Sequence, residues 1–262
     1  MNNNLSGTDC FQTDLCPDCR FPSSNDFGVP DLDITMQAEY VDIPFVCFGE
    51  QRRTFKMGGC GTLHFYTDDY RFSAIYEHPE RVLQHNPRNI VEPNFSLFQD
   101  MEVAFGLQAI YKKRWIARMM QSKGIRVFVD LNVASKWYRL NMLGVPTGWS
   151  SFCTRGYSDR LDYLEFEWNL AKRWAGNNPL TFAIYNGGDA CRKFAQQHGC
   201  IYIDPAIKLK NKQKALDKIA DTVLFLDEPE LSLERLIPQA RQAIIDNQIE
   251  DCRQEVLKFI KN

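Results

Sequence analysis

The sequence predicts an α/β protein of parallel β/α repeats, TIM-barrel-like or an incomplete barrel. Short apolar runs of strand length alternate with helical segments at least five times, the order that builds a parallel sheet. About seven strand candidates occur, and no glycine-rich nucleotide fingerprint follows the first, which favours a barrel over an open dinucleotide-binding sheet. The third observation is one complete unit. Residues 89–132 read as strand, long helix and strand, the length of a parallel crossover.

Each element has a local reason. Residues 1–40 are rich in Asn, Ser, Asp and Pro and lack apolar periodicity, so they read as an irregular N-terminal arm. Ile43 to Phe48 is the first strand candidate and Thr62 to Tyr66 the second. Between them, Met57-Gly58-Gly59-Cys60-Gly61 has the glycines of a phosphate loop. No Lys-Ser/Thr and no helix follow it, so it reads as a tight turn. A short helical piece comes near 72–84, and Ile90-Val91 opens the crossover unit. Ser96 with Gln99 three residues on has capping-box spacing, which predicts a helix starting there. Leu97, Met101, Ala104, Phe105, Tyr111, Trp115 and Met119 form its expected buried stripe. Lys112, Lys113, Arg114 and Arg118 fall towards its C-terminal end, where cations suit the macrodipole. Gly124 ends it, and Ile125 to Val129 is the next strand.

A helix near 133–143 stops at Gly144, and Trp149 to Cys153 is a strand ending at Thr154-Arg155-Gly156. Ser158 is placed to cap a helix whose stripe is Leu161, Leu164, Trp168, Ala171 and Ala175. Leu180 to Tyr185 is a strand, followed by Asn186-Gly187-Gly188, a helix to about His198, and the strand Ile201 to Ile203. The α/β domain is therefore expected over 41–205. After it the chain turns basic, then shows helical spacing through Leu233, Leu236, Ile244, Ile249 and Val256, which predicts a helical C-terminal appendage over 206–262.

A net charge of −2 excludes a globally basic nucleic-acid coat but leaves room for a local basic face. No apolar run reaches the roughly 18 residues of a membrane helix, so no membrane partner is expected. The opening MNNNLSGTDC lacks the basic-then-apolar order of a signal peptide. The nine cysteines are spread irregularly, several within strand candidates, which suits reduced thiols and a cytoplasmic location.

Four groups of residues could carry chemistry. In parallel α/β folds the carboxyl ends of the strands collect the functional loops. That edge would gather Asp68, Asp69, Asn132, Arg155 and Asn186 as candidate catalytic residues, with Asn94, Asp130 and Asp204 near them. Such a set could take a metal, a phosphate or a sugar ring; Asp, Asn and Gly are also what loops and caps use anyway. Arg155 is the anion contact in this reading, with a neighbouring carboxylate held ionised. The second group is Cys10, Cys16 and Cys19, half of a zinc signature; a fourth ligand could come from Cys47, Cys60 or His64. A loose surface pair or a redox dithiol fits the same spacing. Third, Lys112, Lys113 and Arg114, with Lys208, Lys210 and Arg52-Arg53, could make a phosphate-binding stripe, or simply a solvated helix face. Fourth, Val223 to Glu230 is similar to the Walker B strand of ATPases, but no phosphate loop accompanies it, so it reads as structure.

The runs LHFYTDDYRFSAIYEHPERVL and VEPNFSLFQDMEVAFGLQAIYKKRWIARMMQSKGIRVFVDLN carry a family resemblance. Over about residues 60–190 the chain resembles an uncharacterised domain family common in phages, plasmids and other mobile elements of bacteria. The family pattern runs Asp-Asp-Tyr-x-Phe, then Pro-Asp-Phe-Ser, then Asn-Arg-Trp. Asp68, Asp69, Tyr70 and Phe72 match the first block, Pro93, Phe95 and Ser96 the second, and Arg114 and Trp115 the third. Asn94 stands where the pattern has Asp, which removes a potential general base or metal ligand. The resemblance implies a mobile-element protein acting on nucleic acid, in plasmid or phage replication or maintenance. The residues alone leave two other readings open: a small-molecule enzyme using the strand-end cluster, and a non-catalytic binding or host-modulating protein.

Overall fold

The computed structural model describes residues 20–49 and 57–205. Seven strands run in sequence order across one sheet: β1 (Phe45–Cys47), β2 (Thr62–His64), β3 (Asn89–Val91), β4 (Arg126–Asp130), β5 (Ser151–Arg155), β6 (Thr181–Tyr185) and β7 (Ile201–Ile203). The registers from β1 to β6 are parallel throughout, for instance Val46 beside Leu63, Ile90 beside Val127 and Asp130 beside Cys153. An unbroken 1-to-7 order is what successive right-handed crossovers produce when a sheet curls. Rings from non-neighbouring strands meet inside it. Phe45 of β1 lies 5.6 Å from Tyr185 of β6, and His64 of β2 lies 4.4 Å from the same ring. The fold is thus an incomplete parallel barrel with helices outside.

Among the described residues the helices are α1 (Glu80–Leu83), α2 (Val103–Ser122), α3 (Tyr138–Asn141), α4 (Leu161–Ala175) and α5 (Gly188–His198), with short 3-10 turns between. The long helix starts seven residues later than its capping-box signal. Ser96 instead gives its N–H and hydroxyl to Asp69, at 2.9 and 3.0 Å, so the hydroxyl is not free to cap. Its buried face is also rotated from the expected stripe: Gly106, Ile110, Trp115, Ile116, Ala117 and Met120 are covered, while Phe105 is exposed. Lys113 and Arg114 lie on the covered face as well. They therefore belong to no surface stripe, which corrects that part of the nucleic-acid expectation. The helix α4 likewise begins at Leu161 with no side-chain cap from Ser158.

Among the described residues of the polar arm, 37–42 run across the amino ends of the strands. Ala38 donates to Val127 O at 3.0 Å, Gln37 accepts from Ser150 N at 2.9 Å, and Thr181 donates to Glu39 O at 3.1 Å. Asp42 and Tyr40 tie down Thr62 and Asn89 in the same way. Polar composition here satisfies backbone and side-chain groups at the strand starts. The amide of Gln121 on α2 anchors the segment further, exchanging bonds of 2.8 and 2.9 Å with the backbone of Asp33.

The chain divides into two compact units, Met1–Ile201 and Tyr202–Asn262. Cys10, Cys16, Cys19, Arg52, Arg53, Lys208, Lys210, the Walker B-like run and the expected C-terminal helices lie outside the described residues. Among the described residues no helix is long and apolar enough to cross a membrane.

Candidate functional site

The carboxyl ends of β2 to β5 surround a cavity of about 660 Å³. Its walls come from the loop after β2 (Tyr66, Asp68), the loop after β3 (Asn94, Ser96, Phe98), Asn132 after β4, Arg155 and Tyr157 at β5, and Arg160, Tyr163 and Glu167 from the start of α4. Of the five candidate catalytic residues, Asp68, Asn132 and Arg155 line this cavity.

Asp69 and Asn186 do not line it, and each is otherwise engaged. Asp69 holds Ser96, so it braces the β2 loop to the β3 loop. Asn186 takes a left-handed φ of 66° in the β6–α5 turn, a conformation Asn tolerates better than most residues. The motif blocks named above meet here: beside the Asp69–Ser96 contact, Phe72 packs edge-on against Phe95 at 5.1 Å. These two blocks therefore fasten one loop to another.

Beneath the rim a charged network is closed off from solvent. Glu92, Lys113, Arg114 and Asp130 are all 0% exposed. The Asp130 carboxylate accepts from Lys113 Nζ at 3.2 Å and from the Tyr66 hydroxyl at 3.1 Å. Glu92 pairs with Arg114 and accepts from Asp130 N at 3.2 Å. Asn141 takes a bond of 2.9 Å from Lys113 and returns one of 2.9 Å to Asp130 O. Burial raises the Glu92 carboxyl above its ordinary value, against the pull of Arg114 and Lys113. Two cations and two carboxylates close the set, which is the condition for tolerating buried charge.

The network reaches the cavity through Asn94. In the amide orientation its neighbours require, its nitrogen donates to Asp130 Oδ2 at 3.2 Å and to Asn132 O at 3.0 Å, and its oxygen accepts from Asn132 Nδ2 at 3.0 Å. A carboxylate at position 94 would instead confront Asp130. The amide is what lets this loop close over a buried negative charge.

Arg155, half-buried, is arranged differently from the buried cations Lys113 and Arg114. Its Nε is buried without a hydrogen-bond partner among the described residues. Its guanidinium lies 5.4 Å from the centre of the Tyr157 ring, and that of Arg160 lies at the same distance from the same ring. The expected carboxylate beside Arg155 is not found among the described residues: the ion pairs of this part of the fold run to Lys113 and Arg114 instead. His64, near Arg155 inside the barrel, is pushed down to about 3 by burial and then by that guanidinium, so it is neutral. Its Nδ1 accepts from Tyr66 N at 3.3 Å, and its ring stacks on Phe45 at 4.5 Å. It packs in the barrel interior; no cluster of metal-binding side chains occurs among the described residues. The thiol of Cys153 is pushed up by burial, which leaves it protonated and poorly nucleophilic.

Sequence reasoning missed Tyr66, Tyr157, Arg160, Tyr163 and Glu167. The last carried a legible signal. Glu167 sits three residues after Leu164 and four before Ala171, on the covered stripe where Trp168 had been placed. A carboxylate at a core-facing position is the anomaly that marks it.

The fold and the site together define an incomplete parallel β/α barrel with a polar, arginine-bearing cavity at the carboxyl edge of its strands. Residues 21–159 match the family described as Domain of unknown function (DUF4417), and the chain belongs to that family. The match spans the segment across the barrel's amino end through Tyr157; Arg160, Tyr163 and Glu167 lie beyond it. The chain is also similar to the "Gene 1 protein" of Mycobacterium phage D29, with 37% identity over 113 residues, covering 41% of this chain and 40% of the phage protein. A second relative, the "Gene 1 protein" of Mycobacterium phage L5, is 34% identical over 110 residues, covering 41% of this chain and 47% of the relative. The chain thus matches less than half the length of these phage proteins. No solved structure matches.

Proposed function

We propose that the protein works through the carboxyl-edge cavity on a small phosphate-bearing ligand. The observation that carries this is Arg155: a guanidinium at a cavity wall, its Nε buried and lacking an acceptor, with no carboxylate paired to it among the described residues. A buried donor without a partner costs roughly 1–3 kcal/mol, which an incoming anion relieves. The planar fork of Arg suits two-point contact with phosphate oxygens, and Arg160 across the Tyr157 ring adds a second cation. Tyr66, Tyr157 and Tyr163 offer aromatic faces, and Asn132 offers an amide, as expected where an anion is attached to a ring. Calorimetric titration with inorganic phosphate, a nucleoside monophosphate and a dicarboxylate tests the reading. Phosphate and the monophosphate should bind, and Arg155→Ala should weaken both at least tenfold. Absence of binding by either, or equal binding by the variant, defeats it.

A second reading is action on nucleic acid, in phage or plasmid replication or maintenance. Two observations favour it: the relatives are phage proteins, and the exposed rings of Phe98 and Tyr163 at the cavity could stack bases beside Arg155 and Arg160. This route uses the cavity and not the α2 lysines. Single-stranded oligonucleotide binding that falls steeply with salt and needs Arg155 would support it; retention of an oligonucleotide by Arg155→Ala would count against it.

A further inference from the structure

Glu167 is the buried carboxyl of the site with no cation paired to it among the described residues. It is 5% exposed, and α4 carries it to the wall of the cavity that also holds Arg155. Its oxygens meet two hydroxyls: Thr154 Oγ1 of β5 at 2.7 Å and Tyr138 Oη of α3 at 3.3 Å. The contrast with Glu92 and Asp130 is direct. Those two carboxylates have Arg114 and Lys113 against them, whereas no lysine, arginine or histidine lies within ion-pair distance of Glu167 among the described residues. An ionised carboxylate so withdrawn from water and so unpaired is strongly disfavoured, and a carboxyl in that setting keeps its proton.

We infer that Glu167 stands in the cavity as a neutral carboxylic acid and is the proton donor to the ligand that Arg155 anchors. This rests on the phosphate reading of the cavity. In the transfer, the Glu167 O–H bond breaks, its electron pair stays on the carboxylate, and an O–H bond forms on a ligand oxygen; solvent entering the open cavity returns the proton. The two hydroxyls suit both states, because each can accept a hydrogen bond from the acid or donate one to the carboxylate. Burial, the largest influence, and the Asp130 charge oppose the ionised form, while the hydrogen bonds from Thr154 and Tyr138 favour it. Tyr138 from α3, Asp130 from β4 and Cys153 from β5 are neutral or negative, as is Cys191 from α5; the cations lining the same cavity are Arg155 and Arg160, and neither is within ion-pair distance among the described residues. Burial is the first cause raising the Glu167 carboxyl well above the ordinary value, with the Asp130 charge acting in the same sense. A general acid at neutral pH requires this condition.

The test is carboxyl-carbon NMR of the full chain labelled at glutamate. The Glu167 signal, identified by its loss in Glu167→Gln, should titrate well above the ordinary carboxylate range; the raised signal of Glu92 stays in that variant and is told apart by this. Should that variant not fold, Glu167→Asp also removes the residue from a glutamate-labelled spectrum while keeping the acid. Saturating inorganic phosphate should shift the same signal in the native protein and leave it unmoved in Arg155→Ala. A Glu167 signal that titrates in the ordinary carboxylate range would overturn the inference, as would one that phosphate leaves unmoved although calorimetry shows phosphate bound. If phosphate does not bind at all, the anion reading fails and the donor role fails with it. The titration alone still decides whether the carboxyl is neutral.

Discussion

Lys113 of α2 reaches through the helix–sheet interface to place its ammonium 3.2 Å from the carboxylate of Asp130, the last residue of β4, and both side chains are fully buried. The other oxygen of that carboxylate accepts from Tyr66, a wall of the cavity. One buried charge pair thus anchors both the covering helix and the rim of the site.

Removing one member of this network should be costly. Arg114→Met leaves Glu92 buried without its guanidinium, and Lys113→Met does the same to Asp130. Each should lower the free energy of unfolding by about 3–5 kcal/mol in urea titration. Pairing Arg114→Met with Glu92→Leu should recover part of the loss, since an apolar pair leaves no orphaned charge. A single variant that loses less than about 1 kcal/mol would show that water reaches these groups.

Asn94→Asp puts a second carboxylate on Asp130. Two carboxylates so close cannot both ionise, so the new group has a folded-state pKa raised above its unfolded value. Stability from the protonated form is present at low pH and is lost as pH rises through the raised value. The variant should therefore be less stable than the native protein near pH 7, with the gap closing towards pH 5. A gap independent of pH would mean that the side chain turns away from Asp130.

His64 has the opposite sign. Its folded pKa is pushed down to about 3 from 6.5, so below about pH 6.5 the unfolded chain binds a proton that the folded chain refuses. Its share of the stability is whole above 6.5 and falls with pH by up to about 1.4 kcal/mol per unit. His64→Phe should remove that slope between pH 6.5 and 4, measured from urea midpoints against the native protein. Equal slopes in the two would mean that the buried imidazole protonates without unfolding.

Gly106 sits within α2, where replacement of Gly by Ala ordinarily stabilises by up to about 1 kcal/mol. Here a methyl would run into the Trp137 indole, whose ring is fully buried and whose Nε1 donates to Phe98 O at 2.7 Å. Gly106→Ala should instead destabilise by about 1–3 kcal/mol. A higher melting temperature for the variant would show that Trp137 has room to move.

The barrel was legible because its signals are local. Runs such as Arg126–Asp130 and Thr181–Tyr185 separated by helices dictate parallel crossovers, and parallel strands put Asp68, Asn132 and Arg155 at one edge whatever their distant contacts. What tertiary structure alone decided was which polar groups lose their water. Lys113 and Arg114 stand in a basic run that looks solvated; they are buried because Glu92 and Asp130, on two other elements, arrive opposite them. Ser96 looks like a helix cap until Asp69 takes its hydroxyl. Glu167 falls on the core-facing stripe of α4, but only the packing of α4 against β5 and α3 shows that its partners are hydroxyls and that no cation pairs with it among the described residues. Periodicity encodes which way a side chain faces, and that is written within a few residues. Whether a charge is paired, neutralised or left open to a ligand depends on groups brought together from far along the chain, and no short stretch of sequence contains both partners.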